Sequence, residues 1–380
     1  MDYEISKFVG DSWNRGLSLK LSKQVIPFNL LKPKLSLKPQ KMAATVAETK
    51  PLLLHTKPVQ VFVLSQQPKP KWKLWQILLL ILCAAFAVRS FGRHSFSEFE
   101  AFGAAPIDAP FSATKIESLV GGATTAAVSR GPVPKVEWSV FGDNSDAIEN
   151  TKVEAVVENS VLRVTVTYPK NAEKFRLRTE LDVVLPDKSL DAFSLSGSVA
   201  SLKYDGPNVV GEFSINTNVG SSNIFSSITP EAVHVVQRVG SVRFSGRLES
   251  RIVTLHANTG SIHVADAVVS EHIELEANTG SVEATVSGLF TGLVAHADTG
   301  SINLDLSPSF AEGSYDIKAN TGSIRAKTTG FQGSFKASSS LGSVKVSGPE
   351  VQNGRVGNNP AAKGSFVARS SLGSVTLNFL

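Results

Sequence analysis

Cysteine is almost absent from this sequence, since Cys83 is the single one among 380 residues. A lone cysteine excludes disulfide bonds within the chain and zinc sites built on several cysteines. The sequence also lacks a phosphate-binding loop, the metalloprotease motif H-E-x-x-H, the nucleophile motif G-x-S-x-G and an EF-hand loop. We therefore predict that the protein is not an enzyme and carries no cofactor and no metal ion.

The N-terminal part of the chain is basic and the remainder is slightly acidic. Residues 1–73 hold 13 lysines and arginines against 4 acidic residues, whereas residues 74–380 hold 25 against 29. We predict that residues 1–71 form a mostly disordered tail. Because this tail ends at an apolar segment, anionic membrane lipid is its expected partner, and nucleic acid is not.

The apolar segment runs from Leu74 to Val88 and reads LWQILLLILCAAFAV. With its flanking aromatic residues it predicts a transmembrane signal-anchor over residues 72–91. Lysines are denser before the segment than arginines are after it, so the N-terminus is expected in the cytosol. The body of this single-pass protein is then lumenal or extracellular, in the endomembrane system or at the cell surface.

Two points about the anchor stay open in the sequence. Ala85-Phe86-Ala87 supplies the small residues of a signal-peptidase site, so a cleaved signal peptide is an alternative to an uncleaved anchor. Translation from Met42 instead of Met1 would shorten the tail.

After the anchor, residues 92–134 are rich in Gly, Ala, Ser, Thr and Pro and predict a flexible linker. From residue 135 the composition changes. Alternating apolar and polar residues predict strands at 136–141, 153–157, 161–168 and 175–185. We assign residues 135–380 to one all-β domain.

The main feature of that domain is a repeat of about 20 residues marked by Gly-Ser pairs. Each unit is too small to bury a core alone, so its neighbours must stack on it. The pattern predicts a parallel β-solenoid of about nine coils. The pairs begin at Gly197, Gly220, Gly240, Gly260, Gly280, Gly300, Gly322, Gly342 and Gly373.

Within each unit, apolar residues occupy alternate positions on both sides of the glycine, which predicts two short strands joined by a corner. A polar residue precedes the corner threonine in several units, and stacked amides there can form a hydrogen-bonded row. We take these polar residues, Asn258, Asn278, Asp298 and Asn320, together with the glycines from Gly220 onward, as structural corner residues. An antiparallel meander of hairpins is the alternative to parallel stacking.

The last interval is longer because of an insertion between Gly348 and Gly364, whose composition predicts an exposed loop. The chain then ends in SVTLNFL. We expect this final unit to close the stack with an apolar edge that could pair with another copy of the chain.

One outward column is the best candidate for chemistry. His256, Glu276, His296 and Lys318 stand four residues before successive glycines, so a metal site is conceivable there. Because the column continues with a lysine, Lys318, an ordinary solvated face is the favoured interpretation. Glu274 shares this face with Glu276, which is the basis for an alternative function as a polysaccharide-active enzyme.

The unit apolar-x-apolar-x-Ala-Asn-Thr-Gly-Ser-Ile/Val-x-Val resembles the putative-adhesin family of β-solenoid repeat domains. The resemblance covers residues 190–380 well and residues 135–190 loosely. It implies the fold and a setting at the cell surface or envelope, and it carries over no catalytic or binding residue. We therefore expect a membrane-anchored, non-enzymatic scaffold that binds a glycan or a protein surface. A cytosolic solenoid held by its tail is a further alternative.

Overall fold

The computed structural model describes residues 99–309 and 311–380. This part of the chain is almost entirely β structure, with one α-helix, α1 (Ser145–Glu149), and one turn of 3-10 helix (Ala172–Lys174). The first twelve strands are β1 (Phe99–Pro106), β2 (Ala113–Ser118), β3 (Ala123–Arg130), β4 (Lys135–Gly142), β5 (Lys152–Glu158), β6 (Val161–Thr167), β7 (Arg178–Leu185), β8 (Leu190–Asp205), β9 (Val209–Val219), β10 (Ser222–Ile224), β11 (Ala232–Val239) and β12 (Val242–Thr259). The others are β13 (Ile262–Thr279), β14 (Val282–Gly288), β15 (Gly292–Thr299), β16 (Ile302–Pro308), β17 (Ser314–Thr321), β18 (Ile324–Thr328), β19 (Gly333–Leu341), β20 (Val344–Ser347), β21 (Val351–Gln352), β22 (Arg355–Val356), β23 (Gly364–Leu372) and β24 (Val375–Phe379).

Two parallel ladders of strands make up the fold. The first ladder runs in the spatial order β6, β2, β8, β9, β11, β12, β13, β15, β17, β23 and β19. The second runs in the order β7, β3, β8, β10, β12, β13, β14, β16, β18, β24 and β20. The long strands β8, β12 and β13 contribute to both ladders.

Successive units lie in register at the spacing of the sequence repeat. Leu255 of β12 stands opposite Leu275 of β13, and Leu275 stands opposite Ala295 of β15. Every pair of neighbouring strands within the two ladders is parallel, which excludes the antiparallel meander. The described part of the chain is therefore an all-β, parallel-strand repeat, as the Gly-Ser spacing predicts.

The core lies between the two ladders and is built from the alternate apolar positions. Its middle is aliphatic, as at Leu255, Ile262 and Leu275, which are all fully buried. Aromatic side chains gather toward the two ends of the stack. One group comprises Phe193, Tyr204, Phe213 and Phe244, and the other Phe290, Tyr315, Phe331, Phe366 and Phe379.

The linker expected over residues 92–134 is wrong where the structure describes it, because β1, β2 and β3 lie in this range. Strands β2 and β3 form a complete repeat that is inserted between the β6–β7 unit and β8. Its corner carries Gly121, with φ +137°, in place of a Gly-Ser pair. The sequence pattern does not indicate this unit, because its strands are made mostly of alanine, threonine and serine.

The expected order of the last units is also wrong. The final segment of the chain, β23 and β24, lies between the β17–β18 unit and the β19–β20 unit. The end of this stack is therefore formed by β19 and β20, and Leu341 and Val344 there are 68% and 45% exposed. The insertion contains the short strands β21 and β22, and β22 pairs with the first two residues of β19.

At the other end, antiparallel strands flank the ladders. Strand β5 pairs with β6, and β4 connects β1 to β7. The short helices in the described residues include none that could cross a bilayer. The tail predicted over residues 1–71 and the anchor predicted over residues 72–91 lie outside the described residues.

Candidate functional site

The corner glycines hold a backbone conformation that other residues rarely adopt. Their φ angles lie between +139° for Gly240 and +155° for Gly342. A Cβ on Gly260 would lie 2.0 Å from the carbonyl oxygen of Gly240, the corner glycine of the preceding unit. Glycine is therefore required both by the torsion angle and by the close stacking of corners. The remaining members, Gly220, Gly280, Gly300, Gly322 and Gly373, show the same two features.

The serine after each glycine joins neighbouring units. The backbone N–H of Ser261 donates to Oγ of Ser241 at 3.1 Å, and that of Ser281 donates to Oγ of Ser261 at 3.1 Å. Near the end of the stack, the N–H of Ser374 donates to Oγ of Ser323 at 3.2 Å, and the N–H of Ser343 to Oγ of Ser374 at 3.4 Å. This row of hydrogen bonds therefore follows the spatial order of the units instead of their order in the chain.

The polar corner residues pair in the same direction. The amide Nδ2 of Asn278 donates to Oδ1 of Asn258 at 3.2 Å, and Nδ2 of Asn320 donates to Oδ1 of Asp298 at 2.6 Å. These side chains are engaged with one another, which is a structural role. The corner residues thus form hydrogen-bonded rows that join neighbouring units.

The outward face of the first ladder carries a group of ionisable side chains, which we call the His-Glu cluster and define as His256, Glu274 and Glu276. Nδ1 of His256 lies 3.2 Å from Oε2 of Glu276, and its Nε2 lies 3.8 Å from Oε2 of Glu274. Glu276 stands opposite His256 in the ladder, and Glu274 lies two residues away on the same strand. The structure therefore places together two residues of the candidate column and both carboxylates of the enzyme alternative.

The column continues on the far side of Glu276. His296 stands opposite Glu276, and Lys318 stands opposite His296. Among the described residues, Nε2 of His296 and Oδ1 of the nearby Asp316 are buried without a hydrogen-bond partner. Asp316 was not part of the candidate column, although its place two residues before Lys318 puts it on the same outward face.

A second surface feature is a cleft of about 610 Å³ on the second ladder near β1, which we call the N-terminal cleft. Its lining includes Phe102, Trp138, Glu137, Glu180 and Asp182. Glu137 of β4 stands opposite Asp182 of β7, so two carboxylates face the same opening. Phe102 is 79% exposed. Sequence reasoning missed this cleft because β1 and β3 were assigned to a linker.

A buried group of hydroxyls surrounds Tyr168 near the corner between β2 and β3. Its hydroxyl donates to the carbonyl of Ala123 at 2.9 Å and lies 2.9 Å from Oγ1 of Thr124 and 3.0 Å from Oγ1 of Thr179. Burial raises the pKa of Tyr168, and the side-chain hydrogen bonds with Thr124 and Thr179 act in the opposite direction. Since these contacting groups are all neutral, they supply no general base, and the group joins neighbouring strands instead.

A row of ion pairs runs along the edge of the first ladder. Arg251 lies between Glu231 and Glu271, one in each neighbouring unit, and pairs with both. The contact with Glu271, followed by that with Glu231, raises the pKa of Arg251. These contacts join neighbouring units on an exposed surface, where ion pairs contribute little to stability.

Stacked parallel ladders, glycine corners and open polar faces define the class of this molecule as an all-β repeat protein. Within that class, the chain belongs to the Toastrack DUF4097 family, whose model matches residues 144–358. The matched part begins at the cap of α1 and ends in the insertion, so β23 and β24 lie beyond it. This finding confirms the resemblance drawn from the repeat unit.

Several crystal structures are similar to this chain. One is of a putative adhesin from Bacteroides fragilis, with 16% identity over 75% of this chain and 99% of that one, at a TM-score of 0.35. Another is of a putative adhesin from Parabacteroides merdae, with 13% identity over 74% and 96%, at 0.37. A putative cell adhesion protein from Clostridium sporogenes has 11% identity over 75% and 100%, at 0.24. At these TM-scores the likeness carries no inference about ligand or activity. No curated protein matches the chain.

Proposed function

We propose that this chain is a non-enzymatic β-solenoid that acts as an adhesin-like binding or structural scaffold on the extracytoplasmic side of a membrane. The observation that carries the proposal is that corner positions and outward positions have different roles in each unit. Corner side chains are engaged in hydrogen bonds between units, while outward positions such as Thr254, Glu274 and Asp316 differ from one unit to the next. Such a face is rigid, extended and free to vary, which suits recognition of a large surface.

We place the main contact with a glycan or protein surface at the N-terminal cleft. Aromatic side chains supply contact area at low entropic cost, and carboxylates accept hydrogen bonds from hydroxyl groups. Phe102 offers the first, and Glu137, Glu180 and Asp182 offer the second. A cleft of about 610 Å³ has room for one or two sugar rings or a few side chains of a protein.

Binding of the full chain to glycan arrays and to intact cells tests this placement. Phe102→Ala and Asp182→Asn are expected to reduce binding without any turnover of the ligand. Phe225→Ala is the matched control, because Phe225 is also an exposed aromatic residue, at 45%, but lies outside the cleft. Equal binding by all variants would contradict the placement.

The proposed topology is single-pass, with residues 72–91 as the anchor and the N-terminus in the cytosol. Its support is the apolar run and the excess of lysine before it. The test is protease protection in sealed vesicles, with a tag at each end. Residues 100–380 should survive without detergent and be digested with it. Digestion without detergent would favour a cytosolic body held by its tail.

The second candidate is a polysaccharide-active enzyme, and the close approach of Glu274 and Glu276 to His256 is the observation that favours it. Paired carboxylates are the catalytic groups of most glycosidases. The test is release of reducing ends from soluble polysaccharides. Turnover that disappears in Glu274→Gln and Glu276→Gln would establish this activity. It would overturn the proposal that the chain is a non-enzymatic scaffold.

A further inference from the structure

The His-Glu cluster combines ligand types that a divalent metal ion prefers. One imidazole and two carboxylates point outward from neighbouring strands, and one ligand atom from each residue lies within 4.8 Å of the other two. Imidazole nitrogen and carboxylate oxygen are both good ligands for Zn²⁺. Backbone geometry explains the convergence, because residues two apart on a strand share a face and His256 occupies the same face of the adjacent strand.

One nitrogen of the cluster has no partner within the described residues. The distance of 3.8 Å from Nε2 of His256 to Oε2 of Glu274 is too long for a hydrogen bond, and this nitrogen is buried without a partner among the described residues. A separation of that order is close to what two ligands around one zinc ion show, since bonds of about 2.0–2.2 Å at tetrahedral angles place ligand atoms about 3.4 Å apart.

Charge around the cluster also favours a cation. Two carboxylates stand beside one imidazole, and within residues 99–309 and 311–380 no lysine or arginine forms an ion pair with Glu274 or Glu276. On the far side of Glu276 stands His296, whose Nε2 is also buried without a partner among the described residues. The sequence pattern grouped His256, Glu276 and His296, whereas the structure replaces His296 with Glu274 as the third member of the compact set.

We propose that His256, Glu274 and Glu276 bind a divalent transition-metal ion of the Zn²⁺ type, with a fourth position open to water or to a group from a binding partner. This site goes beyond the scaffold function, because it can exist whether or not the N-terminal cleft binds a glycan or protein. Three protein ligands with one open position are typical of zinc sites that exchange a ligand.

Isothermal titration calorimetry with ZnCl₂ tests the proposal on the full chain, purified without a histidine tag and stripped of metal with EDTA. The wild-type chain should bind one Zn²⁺ at this site. His256→Gln and Glu276→Gln should each weaken binding by about tenfold or more, because the loss of a direct ligand costs at least as much as the loss of a residue that only orients a ligand.

His263→Gln is the matched control. His263 also pairs with a carboxylate, Glu283, at 3.0 Å, but it has a single acidic partner and lies on the second ladder. The control should bind Zn²⁺ as the wild type does, and circular dichroism should show that all variants keep the β fold. Absence of zinc binding in the wild type would overturn the proposal, as would equal affinity in the His256→Gln, Glu276→Gln and wild-type chains.

X-ray absorption at the zinc edge gives an independent readout. The proposed site predicts nitrogen and oxygen neighbours with the signature of one imidazole and no sulfur. Sulfur scattering would place the ion at Cys83, Met1 or Met42, which all lie outside the cluster, and would overturn the assignment.

Discussion

At the scale of single residues, the corner glycines are the positions that least tolerate a larger side chain. Two separate costs oppose a larger side chain there, namely a positive φ angle and contact with the backbone of the neighbouring unit. Gly330 and Gly354 also have a positive φ angle but face only the first cost, because the nearest heavy atoms to their Cβ positions are 3.7 and 3.8 Å away. Comparison of the two kinds of glycine therefore separates backbone strain from steric exclusion.

Gly260→Ala should destabilise the protein by about 3 kcal/mol or more, because the new Cβ would lie 2.0 Å from a carbonyl oxygen in a strained backbone. Gly330→Ala should cost only about 1 kcal/mol, since Gly330 has φ +74° but the nearest heavy atom to its Cβ position is 3.7 Å away. Urea denaturation measures both. Equal losses would show that close stacking of corners is not what requires glycine.

Two buried tyrosines differ in how their hydroxyls are satisfied. The hydroxyl of Tyr204 donates to the carbonyl of Pro207 at 2.7 Å, whereas the hydroxyl of Tyr315 has no partner among the residues that the structure describes. At neutral pH, Tyr204→Phe should cost about 1 kcal/mol and Tyr315→Phe should be neutral or slightly stabilising. Denaturant titration of the two variants checks this difference, and a larger loss for Tyr315→Phe would contradict it.

The stability of the wild type and that of Tyr315→Phe should respond differently to alkaline pH. Burial raises the pKa of Tyr315 to about 12. Below pH 10 the phenol is neutral in both the folded and the unfolded chain, and above it the unfolded chain ionises first, so this contribution to stability is lost as the pH rises toward 12. The stability of the wild type should therefore fall more steeply than that of Tyr315→Phe between pH 10 and 12. Parallel curves would contradict this account.

At the scale of strands, the reordered end of the stack has the clearest consequence. Strand β23 is hydrogen-bonded on both sides, to β17 and to β19. Strand β19 is bonded fully to β23 but only through Gly333 and Ser334 to β22. The segment nearest the C-terminus is therefore better protected than the one that precedes it in the chain.

Amide hydrogen exchange measures this difference. Residues 366–370 should exchange more slowly than residues 335–339, because opening β23 requires separation from two neighbours. Peptides from both segments can be compared by mass spectrometry in a single experiment. Faster exchange in residues 366–370 would indicate that the final segment lies at the end of the stack, as the order of the sequence suggests.

The sequence predicts strands well where the repeat is regular. Glycine spacing located the corners from Gly220 to Gly373, and the period-two pattern located the inward residues. It failed for the β2–β3 unit, whose small residues resemble those of a linker. It could not establish the order of the last units either, since Phe366 and Ala368 repeat the inward pattern of Phe335 and Ala337 and either segment suits either layer.

At the scale of the whole molecule, the repeat determines where function can lie. The outward column that contains His256 and Glu276 could be read from the sequence, because register places equivalent residues of successive units side by side. The third member, Glu274, and the N-terminal cleft depend on how strands from different units approach one another. The position of Glu274 in the cluster depends on how far its side chain extends toward His256. The cleft depends on antiparallel strands that lie outside the repeat.

The central claim is that the chain folds as a parallel stack of units whose spatial order departs from chain order near the end. Disulfide formation between paired cysteines in a Cys83→Ser background tests it most directly. Lys318 stands opposite Arg369, and Arg369 stands opposite Ser338. Lys318 and Ser338 are then separated by two strand spacings, about 9.6 Å, which is beyond the reach of a disulfide bond. Oxidation should therefore cross-link Lys318→Cys with Arg369→Cys and leave Lys318→Cys with Ser338→Cys reduced, whereas the reverse result would contradict the account.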